Sequence, residues 1–420
     1  MKNESNDYVI RVLNSPAEVD CTDWNGLLKL QPEPTPFMRH EYLQALHTSG
    51  SATPQTGWTP RFFILELADT MVGACALYLK AHSYGEYVFD QAWANAYQQH
   101  GIRYYPKAVI AVPFTPVPGT RLMARNAIER EVLTKGVIEW CQARGLSSLH
   151  VLFCGSDDIR SCSKAGMLLR HTVQFHWQNA APALAASGAA QPGGESSAPA
   201  YADFEGFLAT LSQEKRKKIR QERRKVADAG VTFRWALGAS ISDQDWDFFY
   251  QCYERTYLEH SNAPYLSRDF FQAMANTMPE NWLLFVAQRA GRPIAASLIA
   301  TITKKTATLE QNGESGSVAI AYGRYWGALE RVDCLHFETC YYQPLAWCIA
   351  HGYQRFEGGA QGEHKMARAL LPIKTSSAHW LTHPAFAEAV GRFLEREGQG
   401  IDQYLDDLGQ RSPFRIDPGN

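Results

Sequence analysis

Two short segments of this chain collect residue types that can move a proton and hold an anion. The first is Arg355–Lys365, RFEGGAQGEHK. Gly358, Gly359 and Gly362 bracket Gln361 there, and Glu363, His364 and Lys365 follow. Glycines let backbone N–H groups come close to a ligand and can form an anion-binding nest. A carboxylate, an imidazole and an ammonium in one stretch supply proton transfer and oxyanion stabilisation. The same residues also suit an ordinary polar turn. The phosphate-loop pattern GxxxxGK[ST] and the dinucleotide pattern GxGxxG are absent from this segment.

The second segment is Ser212–Lys225, SQEKRKKIRQERRK, with eight basic and two acidic residues, a net +6. Helical spacing sets Arg216, Arg220, Arg223 and Arg224 on one side. Guanidiniums grip phosphates and carboxylates through paired hydrogen bonds. Two readings stay open. One is an anion site for coenzyme pyrophosphate, a tRNA backbone or a nucleotide-linked lipid head group; the other is a solvated helix face.

Tyr322–Trp326 (YGRYW) and Phe337–Gln343 (FETCYYQ) set Glu338 among aromatics. A carboxylate in an apolar wall has a raised pKa and suits a general base. A core of aromatics with one satisfied glutamate fits the pattern equally well. In the first half, Tyr84–Asp90, Trp93 and Tyr104–Pro118 suit either a groove for a peptide or sugar or an edge strand with a proline-rich turn. His171 and His176 have no zinc-site spacing, and no GxSxG elbow occurs, so neither a metal centre nor a serine nucleophile is expected.

These residues need elements to carry them. Helical spacing runs over 36–47, 128–144, 204–227 and 243–259, the last capped by Ser242 or Asp243. Thr339–His351 reads as a helix whose Pro344 must sit near the first turn. Strand patterns cover Arg61–Leu67, Val72–Lys80 (with Gly73 at the turn), Ser148–Cys154, Val231–Trp235 and Thr306–Gln311. Trp282–Gln288 and Pro293–Thr303 form a hairpin through Gly291. Hairpins followed by strand–helix–strand predict a mixed α/β (α+β) fold, its sheet mostly antiparallel and flanked by helices.

The chain has 420 residues, enough for two or three domains. Its net charge of −2 excludes a histone-like coat for polyanions, and DNA is not an expected partner. The basic segment nevertheless leaves the remainder strongly acidic. The Ala/Pro/Gly/Ser-rich stretch 179–200 reads as a flexible linker or exposed loop, dividing the chain into domains 1–178 and 201–420. Nine cysteines without CxxC spacing, no apolar run long enough to span a bilayer and a polar N-terminus predict a cytoplasmic protein without disulfides or a membrane span.

The ordered series KRKKIRQERR, YGRYWGALE, HFETCYYQ, FEGGAQGEHK and SAHW resembles the bacterial FemAB-like peptidoglycan biosynthesis/recognition family. HEYLQAL, HSYGEYVFD, YYPK and AVPFTPVPG resemble its N-terminal motifs, so the likeness runs from about Pro36 to Arg396. It implies tandem GNAT-like acyltransferase domains and an N-acyltransferase with its active site in the second. Fem transferases take an aminoacyl group from charged tRNA. The long coiled-coil arm of many of them has no counterpart here, and the [QR]xxGx[GA] loop of acetyl-CoA enzymes is echoed only by Gln361–Gly362. The donor is therefore open between acyl-CoA and aminoacyl-tRNA, each as a substrate rather than a tightly bound cofactor. For such a transferase Glu338 or Glu363 is the expected base, with His364 as the alternative. Arg216, Arg220, Arg223, Arg224, Gly359, Gly362 and Lys365 would hold the donor's anion, and Tyr325, Trp326, Tyr341, Tyr342 and Gln361 would line the acceptor pocket. The alternative is a catalytically idle module that binds a peptidoglycan precursor or another anionic glycoconjugate.

Overall fold

The computed structural model describes residues 8–180, 200–306, 316–360 and 362–415. Most of the 179–200 stretch, Gln361 and nearly all of the expected strand Thr306–Gln311 lie outside the described residues. The strands are β1 (Tyr8–Leu13), β2 (Trp58–Leu67), β3 (Thr70–Lys80), β4 (Lys107–Ile110), β5 (Met123–Ala124), β6 (Ser148–Val151), β7 (Leu168–Gln178), β8 (Val231–Leu237), β9 (Trp282–Arg289), β10 (Arg292–Thr306), β11 (Gly316–Ala328), β12 (Arg355–Ala360) and β13 (Leu371–Leu381). The mixed α/β class with mainly antiparallel pairing is the one the sequence predicts.

The chain forms two compact units. The first holds Met1–Thr172, Tyr265–Met274 and Thr375–Asp402; the second holds Val173–Pro264, Ala275–Lys374 and Gln403–Asn420. Two stretches that a linear division leaves in the second half thus belong to the first unit. The chain passes between units within β7 and within β13.

Each unit has the same strand plan. In the first, β1, β2, β3 and β4 are antiparallel neighbours, β4 and β6 are parallel, and the end of β13 pairs antiparallel with β6. In the second, β8, β9, β10 and β11 are antiparallel, β11 and β12 are parallel, and the end of β7 pairs antiparallel with β12. This is the tandem layout that the sequence predicts.

Local chemistry explains the turns. Ala68 and Asp69 both have positive φ, as do Ala290 and Gly291, the signature of tight hairpin turns matched to strand twist. The β2–β3 turn is therefore at Ala68–Asp69, and the expected turn glycine, Gly73, lies inside β3. The first core packs Phe63, Leu65, Leu77 and Ile110 against Leu133, Val137 and Cys141 of helix Ala127–Ala143. In β9 the run Trp282–Ala287 is buried at every position, as expected of a strand covered on both faces.

Two helices differ from expectation. The single helix 204–227 is two, Phe204–Thr210 and the basic helix Gln213–Asp228. Between them Leu211 is extended and bridges to Phe414, so apolar burial of Leu211 outweighs helix continuity. The other helical segment starts earlier than expected, at Leu335, and Pro344 sits in the first turn of its α-helix Gln343–Ala350, as expected. The backbone widens to a π turn over Glu338–Tyr342, and Gln343 N–H bonds to Glu338 O. Among the described residues, no helix is long and apolar enough to cross a membrane.

Candidate functional site

The second unit has an open groove of about 470 Å³, walled by the basic helix, the start of β8 and the π turn. Arg220, Arg223 and Arg224 line it, together with Glu338, Gln343 and Phe233. Ile219, Glu222 and Val226 are the buried face of the basic helix. The charge run therefore has an inner side that the composition alone does not reveal.

Glu338 is the buried acid of this groove, 3% exposed. Arg223 Nε lies 3.2 Å from both of its oxygens, and Gln343 Nε2 donates to Oε1 at 2.7 Å. Burial raises the Glu338 pKa; Arg223 and Gln343 pull it back without cancelling the rise. The Arg223 guanidinium also rests 4.7 Å from the Phe204 ring. Arg220 pairs with Glu205 at 2.6 Å on an exposed surface, and Arg224 is exposed.

Behind the groove lies a second polar cluster. Glu222 accepts from Tyr342 OH and from Arg368 Nη2, the latter at 2.7 Å. Arg368 also donates to His364 O at 2.6 Å and stacks 3.6 Å from the centre of the Phe337 ring. This ties the basic helix, the π turn and the segment Glu363–Arg368 into one framework. Neither Glu222 nor Arg368 stands out in the sequence. Glu222 sits inside a basic run, and Arg368 falls after the glycine-rich motif. The available signal was an acid at a buried helical position, between Ile219 and Val226.

The remaining predicted residues are distributed around this framework. Lys365 is buried and donates to the carbonyls of Gly358 (2.6 Å) and Gly359 (3.3 Å), and burial lowers its pKa to about 8. Gly359 and Gly362 have φ of 74° and 98°, conformations that favour glycine. At Gly358 and Gly359 the glycine-rich strand therefore turns carbonyls toward an ammonium. Glu363 is exposed, accepting from Tyr404 OH and Arg411 Nη1, each at 3.1 Å. His364 has a lowered pKa from burial and the neighbouring Arg368, and its ring lies 6.2 Å from Tyr341. No hydrogen bond among the described residues joins Glu338 to Glu363 or His364.

Trp326 packs 5.3 Å from His336, and His336 packs 5.7 Å from Tyr341, so Trp326, Tyr341 and His364 share one aromatic row. Burial lowers the His336 pKa to about 4. Tyr325 is not brought there. It sits on the opposite face of β11, against Phe249 and Tyr253 of helix Asp243–Glu259. Strand alternation separates these two adjacent residues. Arg216 is half-buried on the basic helix and is not among the residues that line the groove.

A groove edged with guanidiniums, with a buried carboxylate in its wall, can seat an anionic group beside a proton acceptor. No curated protein sequence matches this chain. Among solved structures it is similar to FemX, with 10% identity over 90% of this chain and 98% of that one, and a TM-score of 0.50. It is also similar to the C-terminal domain of a putative lysylphosphatidylglycerol synthetase from Agrobacterium fabrum (10% identity, 91% and 97% coverage, TM-score 0.49). A tandem GNAT protein from the clavulanic acid biosynthesis pathway is similar at 10% identity, 90% and 99% coverage and a TM-score of 0.42. The likeness to FemX is one of fold. A family model matches residues 15–188 and 194–416, nearly the whole chain, and the protein belongs to the FemAB-like family of peptidoglycan biosynthesis/recognition.

Proposed function

We propose that the protein is an N-acyltransferase whose second unit transfers an acyl or aminoacyl group to an amine. Its donor carries phosphate, as acyl-CoA and aminoacyl-tRNA both do. Family membership supports a cell-wall precursor as acceptor. The observation that carries the reading is Glu338, a buried carboxylate of raised pKa in the wall of a groove edged by three arginines.

The chemistry needs no covalent intermediate on the enzyme. Arg220 and Arg224 hold the donor's phosphates. Glu338 takes the proton of the attacking amine, the C–N bond forms, and the C–S or C–O bond to the donor breaks. The leaving thiolate or alkoxide ends protonated, returning Glu338 to its ionised form. Positioning and proton transfer together are the main sources of rate here. Arg368, through Phe337 and Glu222, holds the scaffold on which Glu338 and Gln343 stand.

A binding role without turnover is the second reading, favoured by the direct Arg223–Glu338 pair, which already neutralises the acid. One experiment separates the two. The protein is incubated with acetyl-CoA or aminoacyl-tRNA and a UDP-linked muropeptide, and amide product is followed by mass spectrometry. Product that disappears in Glu338→Gln supports the transferase. A thermal shift with the muropeptide and no product from any donor supports the binding module.

A further inference from the structure

We propose that the first unit carries a ligand site of its own: a groove over His379 that takes a primary ammonium group, hydrogen-bonded to His379 Nε2. The groove, about 470 Å³, is bounded by Leu168, His379, Leu381, Gly391, Glu388 and Glu395. Along β13, His379 and Leu381 share a face. Leu381 and Leu168 pack with Val390 and Leu394 of helix Pro384–Gln410, so His379 lies on the side of the sheet that this helix covers.

A chain of hydrogen bonds sets which nitrogen of His379 bears the proton. Lys107 Nζ bonds to Glu86 at 2.8 Å and also to Asp90, holding Asp90 ionised. Burial opposes that charge, but Lys107 prevails and the Asp90 pKa is lowered. Tyr104 OH donates its single proton to Asp90 Oδ2 at 2.5 Å. Its oxygen can then only accept, and the group facing it at 3.2 Å is His150 Nε2. With the proton on His150 Nε2, the Tyr104 oxygen accepts from it; a bare nitrogen would instead set two lone pairs against each other at 3.2 Å. In that tautomer Ser148 Oγ, 2.8 Å away, accepts from the same N–H. His150 Nδ1 is then bare, and the 2.7 Å contact to His379 Nδ1 requires the proton on His379. His379 Nε2 is left as an acceptor.

That nitrogen is buried and has no hydrogen-bond partner among the described residues. An acceptor without a donor in a closed setting is costly, and a ligand donor would relieve it. Both imidazoles are held neutral, by burial first and then by the nearby cations Lys107 and Arg170. Trp93 packs edge-on to His379 at 5.0 Å and fixes the ring. The rim selects the ligand's charge. Arg392 is engaged by Glu388, whereas Glu395 is exposed and without a hydrogen-bond or ion-pair partner among the described residues. One surplus carboxylate above a buried acceptor favours a cationic donor over a carboxylate or a neutral alcohol. This site is independent of the reading of the second unit.

The test uses the full chain with ¹⁵N-labelled histidine, titrated with ethanolamine and, separately, with ethylene glycol and acetate. Long-range ¹H–¹⁵N spectra should show His379 protonated on Nδ1 and bare on Nε2. Ethanolamine should shift the Nε2 resonance saturably; ethylene glycol and acetate should not. Gly391→Leu extends a side chain into the groove from a position whose added Cβ meets only Leu168, at 3.6 Å. It should abolish the shift while the His379 tautomer stays. A proton on His379 Nε2, the absence of a saturable shift, or the same shift in Gly391→Leu overturns the proposal.

Discussion

Gln343 donates a 2.7 Å hydrogen bond to Glu338, five residues earlier in the same helical segment. In a regular α-helix, residues five apart diverge around the axis, and the neighbours are three and four apart. The π turn over Glu338–Tyr342 widens the helix so that position i+5 returns to the face of position i. Pro344 follows in the first turn of the next α-helix, where its missing N–H costs no bond. The acid and the amide that holds it are thus paired by a backbone irregularity.

This pairing makes Gln343→Leu informative. The bond favours the charged form of Glu338, so its loss should raise an already raised pKa. The acidic limb of the kcat/KM profile should move to higher pH, with folding intact. A profile that does not move would show that Glu338 is not the group titrating in catalysis.

Glu338→Gln keeps shape and removes the base. General-base catalysis contributes about 10²–10⁴-fold, so turnover should fall by that order. The neutral side chain also relieves a buried charge, so the melting temperature should hold or rise slightly. Calorimetry on the same preparation checks the second half.

The Glu222–Arg368 pair should behave differently. Its side chains are 10% and 2% exposed. Breaking a buried pair by removing one partner costs about 3–5 kcal/mol, because the other charge stays behind. Arg368→Met should lose stability on that scale in urea unfolding, and Glu222→Gln should lose part of it. By contrast, Arg220→Ala and Arg224→Ala touch exposed side chains and should leave stability within about 0.5 kcal/mol. They should raise KM for a phosphate-bearing donor, increasingly so at low salt.

Lys365 gives a pH signature. Burial lowers its pKa from 10.5 to about 8 in the folded chain. Between those values the unfolded chain holds the proton and the folded chain does not, so stability should rise with pH across that window. Lys365→Met should abolish that rise. Unfolding free energies of the two proteins from pH 7 to 10.5 would show whether the slope belongs to this residue.

Much of this protein is determined by local rules that act along the chain. Ser242 caps helix Asp243–Glu259, Ala290 and Gly291 make a tight hairpin, and alternating or continuous apolar runs place the strands. The basic helix and the acid among aromatics were legible too, because charge density and residue type are properties of a segment. Tertiary structure decided which of these meet. Adjacent residues in β11 part to opposite faces, so Trp326 joins His336 while Tyr325 joins Tyr253. Glu363 and His364, consecutive with Lys365, go to solvent and to the aromatic row, while Lys365 turns inward to glycine carbonyls. Arg223 reaches Glu338 across more than a hundred positions, and Glu222, its neighbour, reaches Arg368. The physical reason is burial. Desolvation and pairing in three dimensions give a carboxylate its pKa and a guanidinium its partner, and no spacing along the chain encodes them.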